Sequence, residues 1–187
     1  MIRRAGHSGG SGDIMFSFLK KKQIIVTVET YEASRYAAGL RTVTDRRGYK
    51  KDVQKLQKQF YEVRKTLRDR SNPSGTVVMF GNPDEKGCFS YFVGDLVDGP
   101  GQPEAASVVE LAAGDYAEIH VKFKVPNDLA LSVAKAKCYF METWLPASGY
   151  RLAEGVESIE FYDQRSNIGL PSIELMFPLE KRKDDET

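Results

Sequence analysis

The chain has 187 residues, enough for one domain or two small fused halves with a buried core, and its 41% hydrophobic and 28% charged residues are an ordinary globular composition. Its 27 Lys+Arg against 26 Asp+Glu leave a formal net charge of +1, so no global field draws it to nucleic acid or to an anionic membrane. Two isolated cysteines, Cys88 and Cys138, and two distant histidines, His7 and His120, make no metal-binding spacing, so neither a metal nor a cofactor is expected.

Residues 1–22 read as a flexible leader, with a Gly/Ser stretch (GHSGGSGD) and a basic run at Lys20, Lys21 and Lys22. Its apolar piece, Ile14 to Leu19, is too short to cross a bilayer, and no signal-peptide cleavage pattern follows. A cytoplasmic protein with two free, buried and unreactive thiols is the expectation. From Gln23, Ile24, Val26 and Val28 alternate with Ile25, Thr27 and Glu29 as in a strand, and extended chain continues from Tyr31 to Val43 with a bend near Gly39. Val53, Leu56, Phe60, Val63 and Leu67 then recur at helical spacing, which predicts a helix from about Tyr49 to Arg70. SNPSG (71–75) stops it. Strands are predicted at Thr76 to Phe80 and Phe89 to Leu96, joined by the hairpin-like loop GNPDEKG (81–87). The Pro/Gly-rich stretch 97–106 reads as a linker.

The order then repeats. Ser107 to Lys124 is extended with a turn at Gly114-Asp115, and Asn127 caps a predicted helix that runs to about Trp144 through Leu129, Val133, Ala136 and Phe140. Pro146 and Gly149 end it. Two strands follow, Val156 to Tyr162 and Ile173 to Leu179, and residues 181–187 are a charged tail. The predicted fold is α+β, a single domain over 23–180 built from two β-α-β-β halves, about 23–97 and 107–180. Related by a pseudo-two-fold, they would form one curved antiparallel sheet with both helices on one face. A groove between them is a natural ligand site.

The segment Trp144-Leu145-Pro146-Ala147-Ser148-Gly149-Tyr150, then Glu160-Phe161-Tyr162, then Ile173-Glu174-Leu175-Met176-Phe177-Pro178-Leu179, resembles the C-terminal half of GyrI-like, or AraC-type, effector-binding domains. Val93-Gly94-Asp95 and Gly114-Asp115-Tyr116-Ala117 are similar to that family's close of the first half and entry to the second. The resemblance implies a stand-alone bacterial effector-binding module of the kind found in transcription regulators. It also implies a ligand site centred on Glu160, with Trp144, Tyr150 and Tyr162 as its aromatic neighbours.

On a strand, Ser158, Glu160 and Tyr162 share one face while Ile159 and Phe161 share the other. A carboxylate on a face covered by aromatic rings is costly unless it is paired. A flat, apolar, cationic ligand would supply the counter-charge and gain roughly 0.5–2 kcal/mol from each cation–π contact. Tyr91 and Tyr116 either line that groove or simply pack. Phe60 and Phe140 read as core, His120 as a surface residue and Glu174 as a minor candidate. The leading expectation is a small-molecule effector-binding module, a binding role ahead of an enzymatic one, its ligand organic and its regulatory output passed to a partner protein or a homodimer. It would not bind nucleic acid directly, because the leader is too short for a helix-turn-helix, and it would not bind a membrane. The alternatives are a GyrI-like small-molecule hydrolase using Glu160 as general acid or base, and a protein-interaction module such as a gyrase inhibitor.

Overall fold

The computed structural model describes residues 24–72, 75–155, 158–166 and 171–182. The predicted leader, the strand residues Val156 and Glu157, and most of the predicted tail lie outside the described residues. The first half runs β1 (Thr27–Tyr31), β2 (Arg35–Thr44), α1 (Tyr49–Val63), β3 (Thr76–Phe80) and β4 (Phe89–Val97). The second runs β5 (Ser107–Leu111), β6 (Gly114–Lys122), α2 (Pro126–Tyr139), a short β7 (Tyr150–Leu152), β8 (Ser158–Tyr162) and β9 (Ser172–Lys181). The extended stretch that opens each half is thus divided into two strands. No described helix is long and apolar enough to cross a membrane.

The strands form one antiparallel sheet in the order β1-β6-β9-β8-β3-β4-β2-β5, with β7 added to the end of β9. The order is symmetric about the β8–β3 seam, so the pseudo-two-fold passes there. Each half lends its first strand to the other: β1 pairs with β6, and β5 pairs with β2. This exchange dictates the shape. Six strand spacings separate β1 from β2, about 29 Å in a flat sheet, yet the connection from Tyr31 to Arg35 reaches at most about 14 Å. The equivalent β5–β6 connection, through Ala112 and Ala113, is shorter still. The sheet must therefore curl into an open half-barrel. Where the two crossings meet, Ala113 N–H donates to Ser34 Oγ at 3.3 Å. The bend expected at Gly39 is not a break, since β2 runs through it. Gly39 instead lies opposite Gly94, and a Cβ on it would fall 2.0 Å from the Val93 carbonyl oxygen, so only glycine permits this close crossing.

Both helices lie on one face of the sheet. Val53, Leu56 and Phe60 of α1 bury against Val78, Tyr91 and Val93, whereas Val133, Ala136 and Phe140 of α2 bury against Ile119, Val121, Leu175 and Phe177. The other face is the inside of the half-barrel and carries its own cluster, including Ala37, Val77, Phe92, Leu111, Tyr116, Ile159 and Met176. Each large apolar side chain removed from water contributes roughly 1.5–3 kcal/mol.

Both helices differ from their predicted ends. The first stops at Val63, passes through a 3-10 turn at Arg64–Thr66, and leaves Leu67 extended, although Leu67 still packs on the same core. The cause is Asp95, wholly buried on β4, whose Oδ2 accepts from Arg64 Nε at 2.7 Å and from Arg70 Nη1 at 2.9 Å. Arg64 also donates to the Gly75 carbonyl. The second helix begins with Pro126 in its first turn, so Asn127 lies inside that turn and is not its cap. Its last turn, Phe140–Trp144, widens to a π-helix before a helical turn at Leu145–Ala147. Pro146 has no N–H to donate and its ring would meet the carbonyl four residues back; the wider turn relieves both problems.

Candidate functional site

The seam between β3 and β8 lies under the gap between α1 and α2. Alternation along β8 turns Glu160 and Tyr162 toward the helices and Ile159 and Phe161 into the half-barrel. Glu160 is buried, at 6% exposure, and both of its oxygens are engaged. The Tyr162 hydroxyl donates to Oε2 at 2.7 Å, and the Lys137 ammonium, reaching down from α2, lies 3.1 Å from Oε1. The same ammonium sits 4.2 Å from the centroid of the Phe80 ring. Phe80 meets Tyr91 edge-on at 5.4 Å, and Tyr49, at the start of α1, lies 6.0 Å from both Phe89 and Tyr91.

These groups set one another's chemistry. Burial pushes the Tyr162 phenol far above its ordinary value, and the negative Glu160 beside it adds to the shift. Burial likewise raises Tyr91 and Tyr49, with the Glu160 charge a smaller contributor to each. All three phenols therefore keep their protons at neutral pH, and the carboxylate faces O–H groups, ring surfaces and one ammonium. The protein's own lysine thus lies between a carboxylate and an aromatic ring.

Of the residues singled out from sequence, Glu160, Tyr91 and Tyr162 come together here. Trp144 and Tyr150 stack on each other at 6.4 Å, and Trp144 stacks on Phe140 at 5.4 Å, where α2 ends over Phe177. They share a hydrophobic cluster with Tyr162 and make their ring contacts with one another rather than with Phe80 or Tyr91. Tyr116 is inside the half-barrel, on the opposite face of the sheet from Glu160, where its hydroxyl donates to the Ala112 carbonyl at 2.8 Å. Its even position on β6, like that of Glu118 and His120, sets that face. His120 Nδ1 and Glu174 Oε2 lie 2.8 Å apart, likewise away from Glu160. Phe60 and Phe140 are core. The thiols are less buried than expected: Cys88 is half-buried and Cys138 exposed, because position 138 falls off the Val133–Ala136–Phe140 stripe.

Lys137, Tyr49, Phe80 and Phe89 were not singled out from the sequence. Lys137 carried one usable signal, since it flanks the buried stripe of α2, four residues after Val133 and three before Phe140. Among the described residues no cluster of three His, Cys, Asp or Glu could hold a metal ion.

The model of the family described as Cass2, integron-associated effector binding protein, matches residues 27–179. No curated protein matches the chain by sequence. Among solved structures, SAV2435 bound to tetraphenylphosphonium superposes with a TM-score of 0.62 at 15% identity, over 84% of this chain and 94% of that one. The EcmrR C-terminal domain gives a TM-score of 0.59 at 16% identity, over 85% and 99%. An integron cassette protein from the mobile metagenome of Vibrio cholerae gives 0.52 at 11% identity, over 83% and 95%.

Proposed function

Because the chain belongs to the integron-associated effector binding protein family and has the GyrI-like fold, we propose that it binds an aromatic organic cation between α1 and α2, with Glu160 as the counter-ion and Lys137 as the group the ligand replaces. The observation that carries this reading is the position of the Lys137 ammonium, 3.1 Å from Glu160 and 4.2 Å from the Phe80 centroid. A carboxylate at one side and a ring face at the other are what an organic cation needs. The tenant is attached by a flexible four-carbon stem and is 22% exposed, so its charge can swing into water when another cation enters. Tyr49, Phe80, Phe89 and Tyr91 would then stack on the ligand, and the Tyr162 hydroxyl would keep the carboxylate oriented. Trp144 and Tyr150 form the wall at the far end of α2. A ligand that parts α1 from α2 changes the helical face of the domain, and a regulatory partner would read that change.

The test is calorimetric titration of tetraphenylphosphonium, the ligand named with SAV2435, into the wild type and Glu160→Gln. A charge pair about 4–6 Å apart near a protein surface is worth roughly 3–4 kcal/mol, and delocalisation of the ligand's charge lowers that. Glu160→Gln should therefore weaken binding by about tenfold to a hundredfold. Equal affinity in the two proteins would remove Glu160 from the site.

A further inference from the structure

We propose that the inside of the half-barrel is a second ligand site, for a small monocarboxylate with an apolar body, anchored by Arg35. This goes beyond the cation reading and uses the opposite face of the sheet.

A cavity of about 270 Å³ lies there, walled by Val77, Leu96, Leu111, Ile159, Phe161 and Met176. That is slightly below the roughly 300–1,000 Å³ of drug-sized sites, so the occupant is small. Arg35, at the start of β2 beside the crossing from β1, also lines it. Its guanidinium carbon lies over the Tyr31 ring, 3.6 Å from the centroid, and 5.7 Å from the centroid of Tyr116. The Nε–Nη2 edge of a guanidinium is the one that holds a carboxylate in a two-pronged fork. Two atoms of that edge, Nε and Nη2, are fully buried and have no hydrogen-bond partner among the described residues. Buried charged donors left unmet are costly, and groups of this kind ask for an occupant.

The remaining charges around the cavity have partners. Glu118 accepts from the Tyr31 hydroxyl, and Glu174 is engaged by His120 at 2.8 Å and by Arg165 at 3.8 Å. Arg165 is also held by Asp163, at 2.8 Å from Nε to Oδ2. The buried donors left unmet at the cavity belong to Arg35, and their spacing matches the two oxygens of a carboxylate. Glu118 and Glu174 on the same walls oppose a second negative charge, which favours a monoanion over phosphate or sulfate. The apolar walls take the rest of the molecule.

The test uses benzoate as the probe and the isotope-labelled full chain, followed by amide chemical shifts. Benzoate added to about 20 mM, enough to detect a millimolar site, should give saturable shifts at Tyr31, Arg35 and Phe161. Benzamide and phosphate should not. Arg35→Met should weaken benzoate binding by about tenfold or more, the loss expected when a charge-assisted contact is removed. Leu96→Phe keeps the arginine and fills the cavity, so it should also abolish binding and serves if Arg35→Met does not fold. Glu160→Gln should bind benzoate like the wild type, which separates this site from the cation site. The proposal is overturned by an absence of localised saturable shifts, which would leave the cavity to ordered water, by equal shifts with benzamide, or by a folded Arg35 or Leu96 variant that binds like the wild type.

Discussion

Replacing Lys137 with Met should tighten binding of an organic cation while making the unliganded protein less stable. Methionine keeps the length and apolar stem of the lysine but removes the charge. The Glu160 side chain, at 8% exposure, then loses the ammonium 3.1 Å away and keeps only the Tyr162 hydroxyl at 2.7 Å. Breaking a fully buried ion pair costs about 3–5 kcal/mol. Here Lys137 is 22% exposed and one carboxylate oxygen keeps its donor, so we expect about 2 kcal/mol, or a melting temperature lower by about 4–8 °C. A ligand cation restores that counter-charge and no longer competes with the lysine. Its affinity should therefore rise by about tenfold to thirtyfold, the equivalent of the same free energy. Calorimetry with tetraphenylphosphonium and thermal melts with and without it measure both sides of the cycle. In a Lys137→Met/Glu160→Gln double variant the gain should vanish, because there is no carboxylate left to expose. A folded Lys137→Met protein that binds the cation no better than the wild type would refute the view that the lysine occupies the ligand's place.

Two further perturbations probe the scaffold. Tyr31 is pushed up to about 12 by burial and by its bond to Glu118, and burial also raises Tyr49, Tyr91, Tyr116 and Tyr162. The unfolded chain loses these protons near pH 10 while the native state keeps them, so this contribution to stability is complete below about pH 10 and falls as pH rises toward 12 and beyond. Phenolate absorbance should then lag the ordinary titration and jump together with loss of circular dichroism; smooth titration of all nine tyrosines near pH 10 in a still-folded protein would contradict it. Asp95→Asn should destabilise the domain by about 3 kcal/mol in urea unfolding, because it leaves Arg64 and Arg70 facing a neutral amide in a wholly buried position. A loss below about 0.5 kcal/mol would mean that these arginines find water instead.

What the sequence disclosed, and what it hid, follows from the range over which each force acts. The alternation at 158–162 identifies the two faces of β8 because a strand has a period of two, whatever it pairs with. The helical stripes are equally local, and Phe60 and Phe140 are buried where they predict. The ends of the helices are not local. Arg64 leaves α1 for an aspartate 31 positions away, and the stripe reads on through Leu67 because that side chain stays buried in an extended backbone. The strand exchange between halves is hidden for the same reason. Residues 27–31 carry nothing that says they pair with β6 rather than with β2, and only the strand order makes the short crossing at 32–34 a cause of curling. The site shows the limit most clearly. A carboxylate among aromatic residues predicts a missing positive charge, and the sequence reading assigns that charge to a ligand. The structure adds a lysine from the facing helix, 23 residues before Glu160 in the chain, brought there only because α2 packs beside the seam. The lysine does not remove the case for a cation. It shows how a buried carboxylate can be kept stable in the unliganded protein, and it predicts that affinity is set by the difference between two cations at one place rather than by the new contacts alone.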